Sequence, residues 1–294
     1  MVEPQVILVG LATPESFGLY HYLSGGLLSV FVLYSPSGDS LGQCGEFQQL
    51  SELYAPSMIG PPIKPVRPDS LVRTARGWGA AGAVLVAYDI NIIDGVDDIF
   101  RALKLSGLAA GLRTARPPRG LKEYEFAILD VLGRCNESLS LAGTAVSRFV
   151  EEARAGGRWV EVHVYMKEPV AELAIPEAFM TSAAGFPLHV NLLEHKGGGA
   201  VKDLYSRLRS INPFTYVHVP LYEEAVTYCP SCGSPVAYRE GGVLKSLELV
   251  EGRCWRCGAP LPFRRVVSKK TPDNLSRILG GAVKWFDPRA VKAL

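Results

Sequence analysis

Asp69-Ser70-Leu71-Val72-Arg73-Thr74-Ala75-Arg76-Gly77-Trp78-Gly79-Ala80-Ala81-Gly82-Ala83-Val84-Leu85-Val86-Ala87-Tyr88 holds the pattern that decides the fold. Residues 70–80 have helical spacing behind Asp69, a residue type suited to an N-cap. Residues 83–88 are a short apolar run of the kind that forms a strand. Similar runs occur at residues 6–11, 28–34, 108–114, 126–132, 160–166, 188–193 and 216–220. Helical spacing returns at 145–155, where Val146, Phe149 and Val150 share a face, and at 201–208, where Val201, Leu204 and Leu208 do. Strand, helix, strand in series predicts parallel βαβ units, hence an α/β fold. In such folds the loops at the C-terminal strand ends build the functional site.

The length of 294 residues suits an α/β barrel with an appendage, and 48% hydrophobic residues permit a large core. Prolines 56, 61, 62, 65 and 68 make residues 56–68 a connection that cannot be a regular helix. The start, Met1-Val2-Glu3-Pro4, lacks a basic region, and the apolar run at 6–11 is too short for a signal core or a span. A cytoplasmic protein with no membrane association is expected. The net charge of +2 is uneven. Residues 229–294 hold 12 Lys or Arg against 5 Asp or Glu, a net +7 that leaves −5 for residues 1–228. A basic C-terminal region with Trp255 and Phe263 among its charges admits nucleic acid as a partner. It equally fits a solvated surface.

Four of the six cysteines form two C-x2-C pairs, Cys229-Pro230-Ser231-Cys232 and Cys254-Trp255-Arg256-Cys257, separated by 21 residues. Two residues between ligands let one tight turn aim both sulfurs at one ion. Gly233 and Gly258, which follow the pairs, permit the positive φ such a turn needs. Residues 237–244 read as a hairpin that brings the pairs together. The pattern predicts a structural zinc ribbon over residues 226–266, with two disulfides as the alternative. Residues 267–294 form a basic tail expected to pack on the body, residues 1–225.

Three further stretches carry a family likeness: Tyr20-His21-Tyr22-Leu23-Ser24-Gly25-Gly26, Pro187-Leu188-His189-Val190-Asn191-Leu192-Leu193, and Tyr216-Val217-His218-Val219 followed by Thr227-Tyr228 and the first cysteine pair. They resemble the radical SAM enzymes of the pyruvate formate-lyase activating type, and within them the subgroup of the AmmeMemoRadiSam system. The likeness covers roughly residues 20–263 and implies a partial or complete parallel (βα) barrel with a C-terminal zinc ribbon. It also implies possible protein partners, an active radical SAM relative or a Memo-like protein.

The family holds a [4Fe–4S] cluster on C-x3-C-x2-C, with S-adenosylmethionine on the open iron. The matching stretch here has Ser40 and Phe47 in the outer ligand positions and keeps only Cys44. Cys135, the other cysteine outside the ribbon, lies in a different strand-loop unit. The family's Tyr-Asn-Glu-Pro stretch is replaced by Tyr88-Asp89-Ile90-Asn91-Ile92. Two parts of one site are altered together, so neither the cluster nor S-adenosylmethionine is expected, and standard radical SAM activity is not expected either.

The remaining candidates at the barrel mouth are Cys44, Asp89, Asn91, Asp130, His189, Asn191 and His195. Glu161 and His163 share a strand face by alternation. A His beside carboxylates suits general-base chemistry, although a strand His is more often a hydrogen-bonded core residue. Lys196-Gly197-Gly198-Gly199 lacks the end of a phosphate loop and reads as a flexible loop. Three functions follow: a non-catalytic zinc-binding partner or ligand binder, an enzyme reusing the barrel mouth for non-radical chemistry, or a nucleic-acid-binding ribbon protein.

Overall fold

The helix-then-strand segment folds as α1 (Pro68–Gly77) and β3 (Gly82–Ala87). The helix begins two residues earlier than its sequence suggests. Arg67 is the N-cap and Pro68 the first helical residue, where the missing N–H costs nothing. Asp69 therefore sits inside the first turn and acts on the helix dipole instead of capping it. The computed structural model describes residues 3–35, 54, 65–132, 139–166, 185–193, 198–219, 225–292 and 294.

The other elements of the large sheet are β1 (Val6–Ala12), β2 (Leu28–Leu33), β4 (Ala109–Thr114), β5 (Phe126–Leu132), β6 (Trp159–Met166), β7 (Leu188–Leu192), β8 (Thr215–His218) and β14 (Lys284–Phe286). The order is β14-β1-β2-β3-β4-β5-β6-β7-β8. Strands β2 to β8 are all parallel and lie side by side in chain order. Strands β1 and β14 extend the sheet antiparallel at one edge. Among the described residues no pairing joins β8 to β14.

Helix α2 (Val96–Leu105) follows β3, α3 (Leu139–Ala155) follows β5, and α4 (Gly198–Ile211) follows β7. Helix α2 buries Val96, Ile99, Phe100 and Leu103, one stripe of the 3.6 period. The sequence reading passed over this helix, whose first turn carries Asp97 and Asp98. Gly198 and Gly199 begin α4 and so belong to a helix instead of a loop.

Register turns strand alternation into rows across the sheet. Val131, Val164, Val190 and Val217 are successive partners in one row. One residue away along each strand, Asp130, His163, His189 and Tyr216 form another. Adjacent residues of a strand face opposite sides, so over β5 to β8 one face of the sheet is apolar and the other carries the polar groups. Burying each valine contributes roughly 1.5–3 kcal/mol, and the apolar stripes of the helices are satisfied only against that face.

The polar face is covered at the N-terminal ends of the parallel strands by residues 13–27, the connection between β1 and β2. The cysteine-bearing region adds a three-stranded sheet, β9 (Val226–Tyr228), β10 (Pro235–Glu240) and β11 (Val243–Leu247), and a two-stranded one, β12 (Leu249–Val250) and β13 (Arg253–Cys254). The turn between β10 and β11 uses Gly241 (φ 53°) and Gly242 (φ 67°). Two positive φ values are what a tight hairpin turn requires. After α5 (Asp273–Leu279) the chain returns to the large sheet as β14, pairing Gly10 with Trp285. Among the described residues no helix is long and apolar enough to cross a membrane.

Candidate functional site

The polar face carries two connected clusters. In the first, Arg113 of β4 grips Asp130 of β5 with two bonds, Nε to Oδ2 at 2.8 Å and Nη2 to Oδ1 at 3.1 Å. Arg113 also donates to the Tyr165 hydroxyl at 2.8 Å and to the Phe17 carbonyl at 3.0 Å. Tyr54 donates its hydroxyl to Asp130. Asp130 is fully buried, so its pairing with a two-pronged guanidinium is the condition for carrying charge there. Burial is the largest influence on Arg113 and opposes its charge, but Asp130, by charge and hydrogen bond, together with the Tyr165 and Tyr54 oxygens outweighs it and holds the guanidinium protonated. Burial pushes the Tyr54 and Tyr165 hydroxyls well up, so both stay neutral.

The second cluster is centred on Glu161 of β6. Its Oε1 accepts from the His21 amide (2.8 Å) and Trp159 Nε1 (3.0 Å). Its Oε2 accepts from the Tyr20 amide (2.7 Å) and lies 3.1 Å from His189 Nε2. His189 Nδ1 lies 3.0 Å from His218 Nε2. The His163 ring stacks on His189, with centroids 4.1 Å apart and planes within 3°, while its Nε2 contacts the Gly18 carbonyl at 2.7 Å. Gly18 leaves the room this requires, since a Cβ there would lie 2.4 Å from the His163 ring.

Burial sets the protonation of these groups. It lowers His21 to about 3, against the pull of Glu161, and lowers His218 to about 4, with the Arg239 charge adding to it. His163 and His189 lie well below the usual imidazole range for the same reason. Burial raises the Glu161 carboxyl, and the His21 ring and the three N–H donors oppose it.

The ribbon reaches into this network. Arg239 of β10 is 2% exposed. It donates to Thr227 Oγ1 (2.9 Å) and the Tyr20 carbonyl (2.8 Å) and lies 4.0 Å from the Tyr20 ring centroid. Thr227 bonds the Tyr216 hydroxyl at 2.7 Å, and Tyr216 contacts His21 Nε2 at 2.6 Å. The Phe263 ring stacks on His21 at 4.3 Å. The Arg264 amide donates to the His21 carbonyl at 2.8 Å. Nearby, burial raises Glu15 to about 7 although the Arg239 charge pulls the other way.

At the far side of the ribbon the sulfurs of Cys229, Cys232, Cys254 and Cys257 lie within 4.8 Å of one another. Two of the pairs are 3.6 and 3.8 Å apart, too far for disulfides. Sulfurs ~2.3 Å from a tetrahedral metal would be about 3.8 Å from one another, so the donor set fits such an ion. The turns are built alike. The Gly233 amide donates to the Cys229 carbonyl and the Gly258 amide to the Cys254 carbonyl, each at 2.9 Å. Gly233 and Gly258 have φ of 69° and 73°.

Of the mouth candidates, Asp130, His189 and Asn191 lie on the polar face. Asp89 and Asn91 bond each other. Asp89 Oδ1 accepts from the Asn91 amide and side chain at 3.0 and 2.8 Å, and Asn91 Oδ1 accepts from the Arg119 amide at 2.6 Å. Cys44 and His195 fall outside the described residues, as do Ser40, Phe47 and Cys135. Arg113, Tyr54, Tyr216 and Arg239 were not anticipated. The chain matches no known family model and none of the curated proteins.

Proposed function

We propose that this chain is a zinc-ribbon protein on a (βα) barrel of radical SAM type, which binds a ligand at the C-terminal strand ends and performs no radical chemistry. Seven parallel strands in chain order support the barrel reading. Crossovers are right-handed, and a sequential order then places every helix on one side, the winding of a barrel instead of a doubly wound sheet. The observation that carries the ligand-binding reading is the polar face itself. It is closed at the N-terminal strand ends by residues 13–27 and Arg239, while Asn191 and His218 remain only partly buried at the C-terminal ends. The stretch with Ser40, Cys44 and Phe47 follows β2, the first parallel strand, and offers one thiolate where a cubane needs three.

Zinc in the four-thiolate site would be fully coordinated by protein, which makes it a folding element with no open position for substrate. Metal analysis of protein purified without oxygen tests the proposal. One zinc and no iron per chain is expected. Stoichiometric iron with a thiolate–iron absorption band would overturn it. A protein partner, either an active radical SAM relative or a Memo-like protein, is compatible with this role. Co-purification of the full chain with such a protein tests it.

A second reading, nucleic-acid binding by the ribbon, is favoured by Trp255, 52% exposed between Arg253 and Arg256. Phosphate contacts make such binding weaken steeply with salt. Binding that ignores salt would sink this reading.

A further inference from the structure

We infer that His218 presents the Nδ1 lone pair of a directionally fixed imidazole at the strand ends, and with Asn191 Oδ1 forms an acceptor pair for a ligand bearing hydroxyl or N–H donors. The direction follows from counting donors. Glu161 receives three groups that can only donate, the amides of Tyr20 and His21 and the indole N–H of Trp159. Burial raises this carboxyl, but the three N–H donors, which engage both of its oxygens, oppose that rise and favour the ionised form, the form taken here. Its fourth contact, His189 Nε2, is then an N–H donor. Neutral imidazole has one donor nitrogen and one acceptor, so His189 Nδ1 accepts. The proton in the 3.0 Å contact therefore belongs to His218 Nε2. That leaves Nδ1 of His218 as a lone pair, and no described residue bonds it.

The ring cannot turn freely. The Tyr20 ring stands edge-on to it at 5.9 Å, and the His189 ring lies within 8° of its plane with centroids 5.3 Å apart. Asn191 of β7 is the register partner of His218. Its Nδ2 donates to the Val164 carbonyl at 3.5 Å, which leaves Oδ1 as the acceptor. Two acceptors on neighbouring strands suit a donor-bearing ligand and repel an anion. The groups facing the chain are Arg239 from β10, Arg113 from β4, Glu161 and His163 from β6, Tyr216 from β8 and Tyr20 from the β1–β2 connection. Burial and the Arg239 charge oppose protonation of His218, which stays an acceptor through neutral pH.

The inference rests on reading the strand ends as a ligand site, and the two fail separately because the tautomers are measured without ligand. Full-length, metal-loaded protein with 15N-labelled histidine is followed by long-range proton–nitrogen correlation. His189 and His218 should both carry the proton on Nε2, unchanged between pH 7 and pH 5.5. An Nδ1–H tautomer at His218, which would mean that Glu161 holds the proton, overturns the inference, and so does titration near the ordinary value. Diethyl pyrocarbonate, which attacks neutral imidazole, should modify His218 about equally at the two pH values. An imidazole of ordinary pKa would slow roughly eightfold. Thermal shift with ethanolamine and with inorganic phosphate completes the test. Ethanolamine should stabilise the native chain and not Asn191→Leu. Stabilisation by phosphate alone, or by neither, overturns the ligand class.

Discussion

The sheet and the ribbon both bury cationic and polar side chains, yet they draw on different sources of stability. The sheet has an apolar face broad enough to bury rows of valine against helices, and that burial offsets the cost of a polar face. The ribbon's own core is small, made of residues such as Val236, Leu244, Leu247 and Phe263. A unit of that size needs a further element, which a metal ion held by the four converging sulfurs would supply. Where the units meet, Arg239 connects them by bonds whose partners lie on both sides.

The largest expected effect separates the two. Stripping metal with a strong chelator removes roughly 10–16 kcal/mol of binding energy from a structural site. Hydrogen exchange should then accelerate across residues 226–263 while β3 to β6 keep their protection. Simultaneous loss in both regions would break the comparison and make sheet and ribbon one cooperative unit.

Next comes Glu161→Ala. It orphans three buried N–H donors, and a cost of about 3–5 kcal/mol is expected. Denaturant unfolding reads it as a lower midpoint. A loss under 1 kcal/mol would show that water replaces the carboxylate.

Acid should act on the sheet through its polar face. His21 and His218 have folded values of about 3 and 4, and His163 and His189 are also lowered. Below their unfolded value of ~6.5 the unfolded chain binds protons that the native chain does not, so stability falls as pH drops from there. Glu15, raised to about 7, works the other way, losing stability as pH rises from its unfolded value to the folded one, and Glu161 shares its sign. The four imidazoles outnumber the carboxyls, for a net of about two to three protons, or roughly 3–4 kcal/mol per pH unit near pH 5.5. Urea midpoints at pH 7, 6 and 5.5 check this, and a flat profile would contradict it.

The smallest effect is Val164→Ala on the apolar face, about 2 kcal/mol. It should lower the melting temperature without changing the histidine tautomers. A tautomer change would show that the two faces are coupled through β6.

The ribbon was legible because its information is local: two cysteine pairs and the glycines behind them specify the turns within a few residues. The strands were legible because each is a short apolar run. The polar face was harder. Glu161 and His163 could be set on one side of β6 by alternation, but their partners Tyr20, His21 and Gly18 lie more than a hundred residues away. Arg113 lies unmarked within a strand-like run and Arg239 among the basic residues of the C-terminal region, and nothing near them in sequence shows what would neutralise or surround them. Helix α2 could have been found from Val96, Ile99, Phe100 and Leu103.

The pairing of β14 with β1 has a consequence for the order in which the protein is made. Strand β1 leaves the ribosome long before its outer partner, β14. At translation rates of ~5–20 residues per second, the backbone groups along that edge wait tens of seconds for residues 284–286. Until then the nascent chain offers an open strand to any other extended segment, so a chaperone holding the early strands would matter most before the tail arrives.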